Sequence, residues 1–348
     1  MELLYMQKYH YTGGGANRTP EEVSKLQKKY ELFDKEYLYD IFKNVLDLEI
    51  TDIKLPMNSS LPHVTYVIST KNNRELFYRG NLGWEEPEIQ LYKEKVIADV
   101  ALRNDLPANK IIYVDISRKK YPFDFQIQEV IEGLDAEVVF EGAKQDYDTY
   151  SYDLGVLIGK LKSVKLNGYG HFGDESVLQD VLKGEYETFF DYLNLDLVKQ
   201  VELIEKSGFI SEKVATEILN LFTDAKEIIN QSDSSLVHYD LADHNLRYDP
   251  NTFKISAIFD WEASVVGDSL LDLASCPTWK TLYPRIEKAK EGFLSIVNEP
   301  EFFNEKLDLY RLRTIIWKIE HNLKFGIATP ERMQRLALAL EPYGLKMK

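Results

Sequence analysis

The chain is almost without cysteine. Cys276 stands alone, which excludes an internal disulfide framework and fits a reducing, cytoplasmic setting; a single cysteine of this kind reads as a small buried apolar residue. No apolar run approaches the eighteen or so residues of a membrane-spanning helix. The opening MELLYMQKYHYTGGG has no basic leader followed by an apolar block, so no signal peptide is expected. Positive charge is also short. Lys and Arg number 42 against 57 Asp and Glu, a net charge of -15, which argues against nucleic acid or an anionic membrane as partner. Gly13-Gly14-Gly15 is not followed by Lys-Ser or Lys-Thr, so it is no P-loop and reads as a flexible arm. Internal repeats and low-complexity linkers are absent. What remains is ordinary globular composition, 44% hydrophobic and 28% charged, in a chain long enough for two sub-domains with their own cores.

The informative stretch is Leu236 to Glu262, LVHYDLADHNLRYDPNTFKISAIFDWE. Leu236 and Val237 read as the end of a buried strand. His238, Asp240 and Asn245 follow in the order H-x-D-L-x-x-x-N. Asp249-Pro250-Asn251 is turn chemistry, and Ile255 to Phe259 reads as a short strand delivering Asp260. Phosphoryl transfer needs positioning and charge neutralisation more than covalent chemistry from the protein. A carboxylate must accept the proton of the attacking hydroxyl, which suits Asp240, with His238 beside it. Hard oxygen ligands must hold Mg²⁺ against phosphates, which suits Asn245 and Asp260. Taken singly, each of these residues reads as a turn residue; the ordered set of four points to chemistry. A competing pattern, His238, Asp240, Asp243 and His244, has the look of a metallo-hydrolase cluster. Such sites usually need further His ligands, and the only later histidine is His321.

HYDLADHN, then IFDWE, then GDSLLDLA at Gly267 to Ala274 together resemble the aminoglycoside phosphotransferase and choline kinase family. These are small-molecule kinases with a protein-kinase-like fold. The resemblance implies an α+β, bilobal, protein-kinase-like fold, with a five-stranded antiparallel N-lobe sheet and a mainly helical C-lobe. The expected division is 1–47 as an N-terminal arm and helices packed on the N-lobe, 48–133 as the N-lobe with hinge, and 134–348 as the C-lobe with catalytic loop and acceptor pocket. The implied cofactors are ATP (or GTP) and Mg²⁺, the partner is a small-molecule hydroxyl acceptor, and the protein is expected as a monomer or homodimer.

In chain order, Thr19-Pro20-Glu21-Glu22 opens a helix, with Thr19 as N-cap and Glu22 closing a capping box. Helix runs in two pieces to about Leu46. Strands are predicted near 48–55, 63–70 and 74–80. The first turn, Met57 to Ser60, has no G-x-G-x-x-G; it reads either as an ordinary hairpin turn or as a phosphate cover in which Ser59 and Ser60 offer N–H groups and hydroxyls instead. Arg79 stands where protein kinases carry the Lys of V-A-I-K, supplying a planar fork where Lys supplies a point charge. A helix from about Glu85 to Arg103 has an apolar face of Ile89, Val96, Ile97, Val100 and Ala101. On it Glu94, or alternatively Glu88, is the implied partner of Arg79. Strands at 111–116 and 125–131 complete the sheet, and the resemblance implies that Gln128 to Gly133 is the hinge, with adenine read by the Glu129 carbonyl and the Ile131 N–H. Beyond Gly133 the chain turns helical. Gly168 to Gly173 reads as a loop, and 177–206, 212–229, 302–325 and 330–340 read as helices. Asp268 reads as a helix N-cap and Asp272 as a brace for the catalytic loop. Trp317, Glu320 and His321 are candidates for the acceptor pocket.

The implied function is ATP-dependent phosphorylation of a small-molecule hydroxyl. Asp243, Glu262 and Asp268 crowd the catalytic stretch, so an acidic pocket and a cationic acceptor, such as an aminoglycoside or amino alcohol, are expected. A protein kinase is disfavoured: no A-P-E follows Asp260, no activation loop fits before Gly267-Asp268, and Tyr239 replaces the Arg of regulated kinases. The alternative is a nucleotide-binding pseudokinase or interaction module, for which the missing glycine loop and Arg79 leave room.

Overall fold

The computed structural model describes residues 24, 28–56, 63–81, 89–324, 326 and 328–348. Gly13–Gly15, the capping box at Thr19–Glu22, Ser59, Ser60, Glu85 and Glu88 therefore lie outside the described residues. The chain forms two compact units. One holds the described residues up to Asp99 together with Asn109–Ile131; the other holds Val100–Ala108 with Glu132–Lys348.

The first unit is a five-stranded antiparallel sheet, β1 (Ile50–Lys54), β2 (Val64–Thr70), β3 (Glu75–Gly80), β4 (Ile111–Asp115) and β5 (Phe125–Glu129), in the order β1-β2-β3-β5-β4. Side chains alternate across a strand. On β3, Leu76 and Tyr78 are fully buried, and Arg79 points the other way. The buried face packs on helix α1 (Glu36–Leu46), whose Leu38, Ile41 and Phe42 fall at i, i+3, i+4 and join Tyr66, Tyr78, Phe123 and Phe125 in one core. Asp47 ends α1 in the left-handed conformation, φ 52°. The five strands lie where the sequence places them. Helix α2 (Gln90–Arg103) buries Leu91, Glu94, Val96, Ile97, Ala98 and Ala101, while Ile89 and Val100 are only half-buried.

The second unit is mainly helical. Its long elements are α3 (Lys144–Ser163), α4 (Leu197–Lys206), α5 (Glu212–Asp224), α6 (Leu270–Ser275), α7 (Ile286–Leu294), α8 (Phe303–Lys324) and α9 (Pro330–Leu340). Among them lie two small sheets. One is β9 (Leu246–Tyr248) with β10 (Ile255–Ile258). The other runs β7-β6-β11-β8, where β6 is Tyr169–Phe172, β7 Gly184–Tyr186, β8 Ser235–Val237 and β11 Val265–Gly267. Two expectations change here. The Gly168–Gly173 loop is strand β6, and 177–206 is not continuous helix but holds β7, with breaks at Asp180 (φ 59°) and Asp196 (φ 55°). No described helix is long and apolar enough to cross a membrane.

Helices α3 and α7 approach backbone to backbone. A Cβ on Gly155 would fall on the carbonyl oxygen of Ala289, and a Cβ on Gly292 would fall on that of Tyr152. This reciprocal contact brings Tyr147 and Tyr150 of α3 near Arg285, which precedes α7. Gly155→Ala should therefore cost at least the roughly 1–3 kcal/mol of overpacking, since a backbone carbonyl has no rotamer to escape into. A urea midpoint within error of the parent's would show that the helices can part without cost.

Candidate active site

The catalytic stretch is built from the two small sheets of the second unit. Strand β8 ends at Val237, and the chain turns sharply: Tyr239 adopts φ 65°. That conformation is costly for a non-glycine residue, and Asp272 of α6 holds it. Its Oδ2 accepts the His238 N–H at 2.9 Å and its Oδ1 the Tyr239 N–H at 2.7 Å. Asp272 is thus the brace suggested by the sequence. Burial pushes its carboxyl up to about 7, against the pull of the two N–H groups.

His238 is wholly buried, its ring 4.6 Å from that of Trp261. Nε2 lies 3.1 Å from the Phe259 carbonyl and Nδ1 accepts the Asp240 N–H at 3.3 Å. These partners assign the neutral Nε2–H tautomer. Protonating Nδ1 would set it against an N–H, and burial pushes the imidazole down to about 3. The folded pKa is depressed, so the stabilisation is complete above the unfolded value of about 6.5 and is lost as pH falls towards 3. The slope is at most about 1.4 kcal/mol per pH unit. Urea midpoints of the parent should therefore fall more steeply between pH 6.5 and 4 than those of His238→Gln; parallel profiles would show that the native ring takes up a proton.

Asp240 and Asn245 are brought together. Asn245 Nδ2 donates to the Asp240 carbonyl at 2.9 Å and to Asp240 Oδ2 at 3.0 Å. Oδ1 of Asp240 is buried without a hydrogen-bond partner among the described residues. Burial raises the Asp240 carboxyl above the usual carboxylate range, against the pull of His244 and Lys318. The Phe259 N–H donates to the Asn245 carbonyl at 3.1 Å, tying β10 to the loop just before Asp260, which takes φ 65°. Nδ2 of Asn245 is spent on Asp240, so the hard oxygen donors this stretch offers include the Asn245 Oδ1 and the Asp260 carboxylate. Two such oxygens are the donor type Mg²⁺ takes, so the residues present fit that ion.

Asp243 does something the sequence did not show. It is buried, with Arg285 Nη1 donating at 2.6 Å and the hydroxyls of Tyr150 and Tyr147 at 3.1 and 2.9 Å. Arg285 also donates Nη2 to the Leu241 carbonyl at 2.8 Å. Asp268 is likewise interior. Its Oδ1 accepts the Leu270 N–H, as a capping side chain would, but Oδ2 meets Lys306 and Tyr310, each at 3.2 Å. Two of the three acids expected to make the pocket acidic are thus consumed in buried pairs. Tyr147 and Tyr150 share a helix face at i, i+3, a signal available in the sequence; Arg285 and Lys306 carried none.

In the first unit, Arg79 and Glu94 meet. Arg79 Nη1 donates to both Glu94 oxygens at 3.0 and 2.9 Å, and the glutamate is buried. His63, absent from the sequence reading, extends the pair: Arg79 Nη2 lies 2.6 Å from His63 Nε2, and Nδ1 lies 2.6 Å from Asn81 Oδ1. The β2–β3 register, with Val64 opposite Gly80, sets His63 across from Asn81. Glu129 ends β5 with its N–H given to the Lys110 carbonyl and its side chain paired with Lys110 at 2.9 Å. Ile131 follows the strand. At the C-terminal end, Trp317 stacks on Tyr239 at 6.3 Å and tilts against His321 at 6.2 Å, and Glu320 accepts from Gln200 at 2.9 Å.

A five-stranded antiparallel sheet with a buried Arg–Glu pair, and a helical unit presenting a clamped Asp–Asn loop, define a protein-kinase-like fold of mixed α and β structure. The profile of the phosphotransferase enzyme family matches residues 61–291, and the chain belongs to that family. A search among curated proteins finds no match. Solved structures share the fold at low identity. A thermostable form of the aminoglycoside phosphotransferase APH(4)-Ia, in complex with AMP-PNP and hygromycin B, is 16% identical with a TM-score of 0.64, over 88% of this chain and 97% of that one. A putative fructosamine-3-kinase from Thermobifida fusca is 12% identical with a TM-score of 0.62, over 87% and 98%. A macrolide 2'-phosphotransferase type I is 14% identical with a TM-score of 0.60, over 90% and 97%.

Proposed function

We propose that the protein is an ATP-dependent kinase that transfers the terminal phosphoryl group of Mg–ATP to a hydroxyl of a small molecule. The observation that carries this reading is Asp240, with one carboxylate oxygen held by Asn245 and the other buried without a partner among the described residues. The acceptor O–H donates to that unpartnered oxygen. As its oxygen bonds to phosphorus, the bond to the bridging oxygen of ATP breaks, the proton passes to Asp240, and ADP leaves. Arg79, aimed by Glu94 and His63, grips the α- and β-phosphates; Ser59 and Ser60 add phosphate contacts, and the Glu129 carbonyl and Ile131 N–H hold adenine. Asn245 and Asp260 would hold Mg²⁺, which supplies charge neutralisation between the phosphates. His238, buried and neutral, positions Asp240 through its backbone. GTP in place of ATP, and a cytoplasmic location consistent with the lone buried Cys276, belong to the same reading. A cationic acceptor loses most of its motive, since Asp243 and Asp268, two of the three acids behind it, are paired in the interior.

The experiment is a screen of hydroxyl acceptors monitored by ADP release in the presence of Mg–ATP. At least one acceptor should give transfer that disappears in Asp240→Asn. Tight nucleotide binding with no Asp240-dependent transfer to any acceptor would instead make the chain a pseudokinase.

A further inference from the structure

A cavity of about 350 Å³ opens in the second unit, lined among others by Trp279, Lys280, Arg285, Glu331 and Arg335. Its polar chemistry is one-sided. Trp279 Nε1 and Arg285 Nε are buried donors with no acceptor among the described residues. Arg335 commits Nη1 to the Thr278 carbonyl at 2.7 Å, and Lys280 is exposed. Neither indole, guanidinium nor ammonium can accept a hydrogen bond. The charge of Arg285 is already balanced by Asp243, which leaves Lys280 and Arg335 against the single carboxylate of Glu331.

The cavity wall is bonded to the catalytic loop. Arg285 donates to Leu241, the residue after Asp240, and to Asp243. The His244 ring meets Trp279 edge-on at 6.3 Å. Lys318 Nζ sits 3.0 Å from the centroid of the Trp279 ring and donates to Thr278 Oγ1 at 2.8 Å. The cavity lining thus touches the loop on both sides of Ala242, at Leu241 and at Asp243 and His244.

We propose that this cavity is the subsite for an anionic group of the acceptor, a carboxylate or a phosphate, whose oxygens are met by Lys280, Arg335 and the Trp279 and Arg285 N–H groups. The inference rests on the kinase reading above and adds the class of its substrate. Anionic oxygens satisfy donors that a neutral polyol satisfies poorly, and charge-assisted bonds to them are the stronger kind. An ammonium group would meet two cations against one carboxylate.

The test uses the full chain saturated with Mg–AMP-PNP, so that the nucleotide site cannot take up a phosphate. D-gluconate, D-glucose 6-phosphate, D-glucose and D-glucosamine are titrated calorimetrically. At least one of the two anionic compounds should bind about ten-fold or more tightly than glucose and glucosamine, and the comparison of the two separates a carboxylate from a phosphate site. Arg335→Gln and Lys280→Gln should each weaken the anionic ligand severalfold. Lys280 is exposed, so its variant reports on charge without a folding risk. Equal affinities, a preference for glucosamine, no binding by either anion, or anion binding indifferent to both variants would overturn the proposal. The two readings fail separately. A parent protein that does not bind Mg–AMP-PNP removes the kinase reading and this one with it; nucleotide binding without anion preference removes this one alone.

Discussion

Asp240→Asn should lower the rate of phosphoryl transfer by about 10²–10⁴ while leaving the affinity for Mg–AMP-PNP and the fold unchanged. An amide keeps the shape of the carboxylate and can still accept from Asn245, so the loop has no reason to move. What it loses is the ability to take a proton. The environment favours that ability: burial raises the Asp240 carboxyl, bringing it nearer the pH at which a general base works best, and one oxygen has no competing partner among the described residues. Steady-state ADP release for the rate, and calorimetry for the nucleotide, separate the two effects. Parental turnover in the variant would remove Asp240 from the chemistry, and lost nucleotide affinity would make it part of the binding site instead.

The second large effect is expected from Arg285→Met. The parent places Arg285 and Asp243 in the interior, 1% and 3% exposed, at 2.6 Å. Removing the cation leaves a carboxylate whose remaining side-chain partners, among the described residues, are two tyrosine hydroxyls. Breaking a buried pair from one side typically costs about 3–5 kcal/mol, because the remaining charge stays buried. The loss should appear as a lower urea midpoint at an unchanged m-value. Activity should fall as well, since the same guanidinium holds the Leu241 carbonyl beside Asp240. A loss under about 1 kcal/mol, the scale of an exposed pair, would mean that water reaches Asp243.

Asp243 also shows where reading a sequence stops. The pairing of Asp240 with Asn245 and the bracing by Asp272 involve residues whose spacing already carries a signal in the sequence. The five strands were legible from alternation. Strand β6 was not, since Gly170 pairs with Val266 far along the chain, and a short glycine-rich segment has no local pattern to announce such a partner. Strand β7 was lost for the same reason, read as helix because its flanks are rich in Tyr, Phe and Leu. Asp243 and Asp268 looked like pocket acids because charge is visible in a sequence and the neutralising partner is not. Arg285 and Lys306 lie on other elements, and only folding brings them near. His63 had a faint signal in the hairpin register, usable once Val64 is known to face Gly80.

The glycine contact between α3 and α7 bears on how such a protein can change over generations. Substitution at Gly155 or Gly292 disturbs the helices that carry Tyr147, Tyr150 and Arg285 to the loop, so drift there is penalised twice, in folding and in turnover. Lys280 and Glu331, both exposed on the neighbouring cavity wall, carry no such constraint. Descendants can therefore alter what they recognise while inheriting the transfer machinery intact, and a library confined to positions 280 and 331 should yield mostly folded proteins with altered ligand preference.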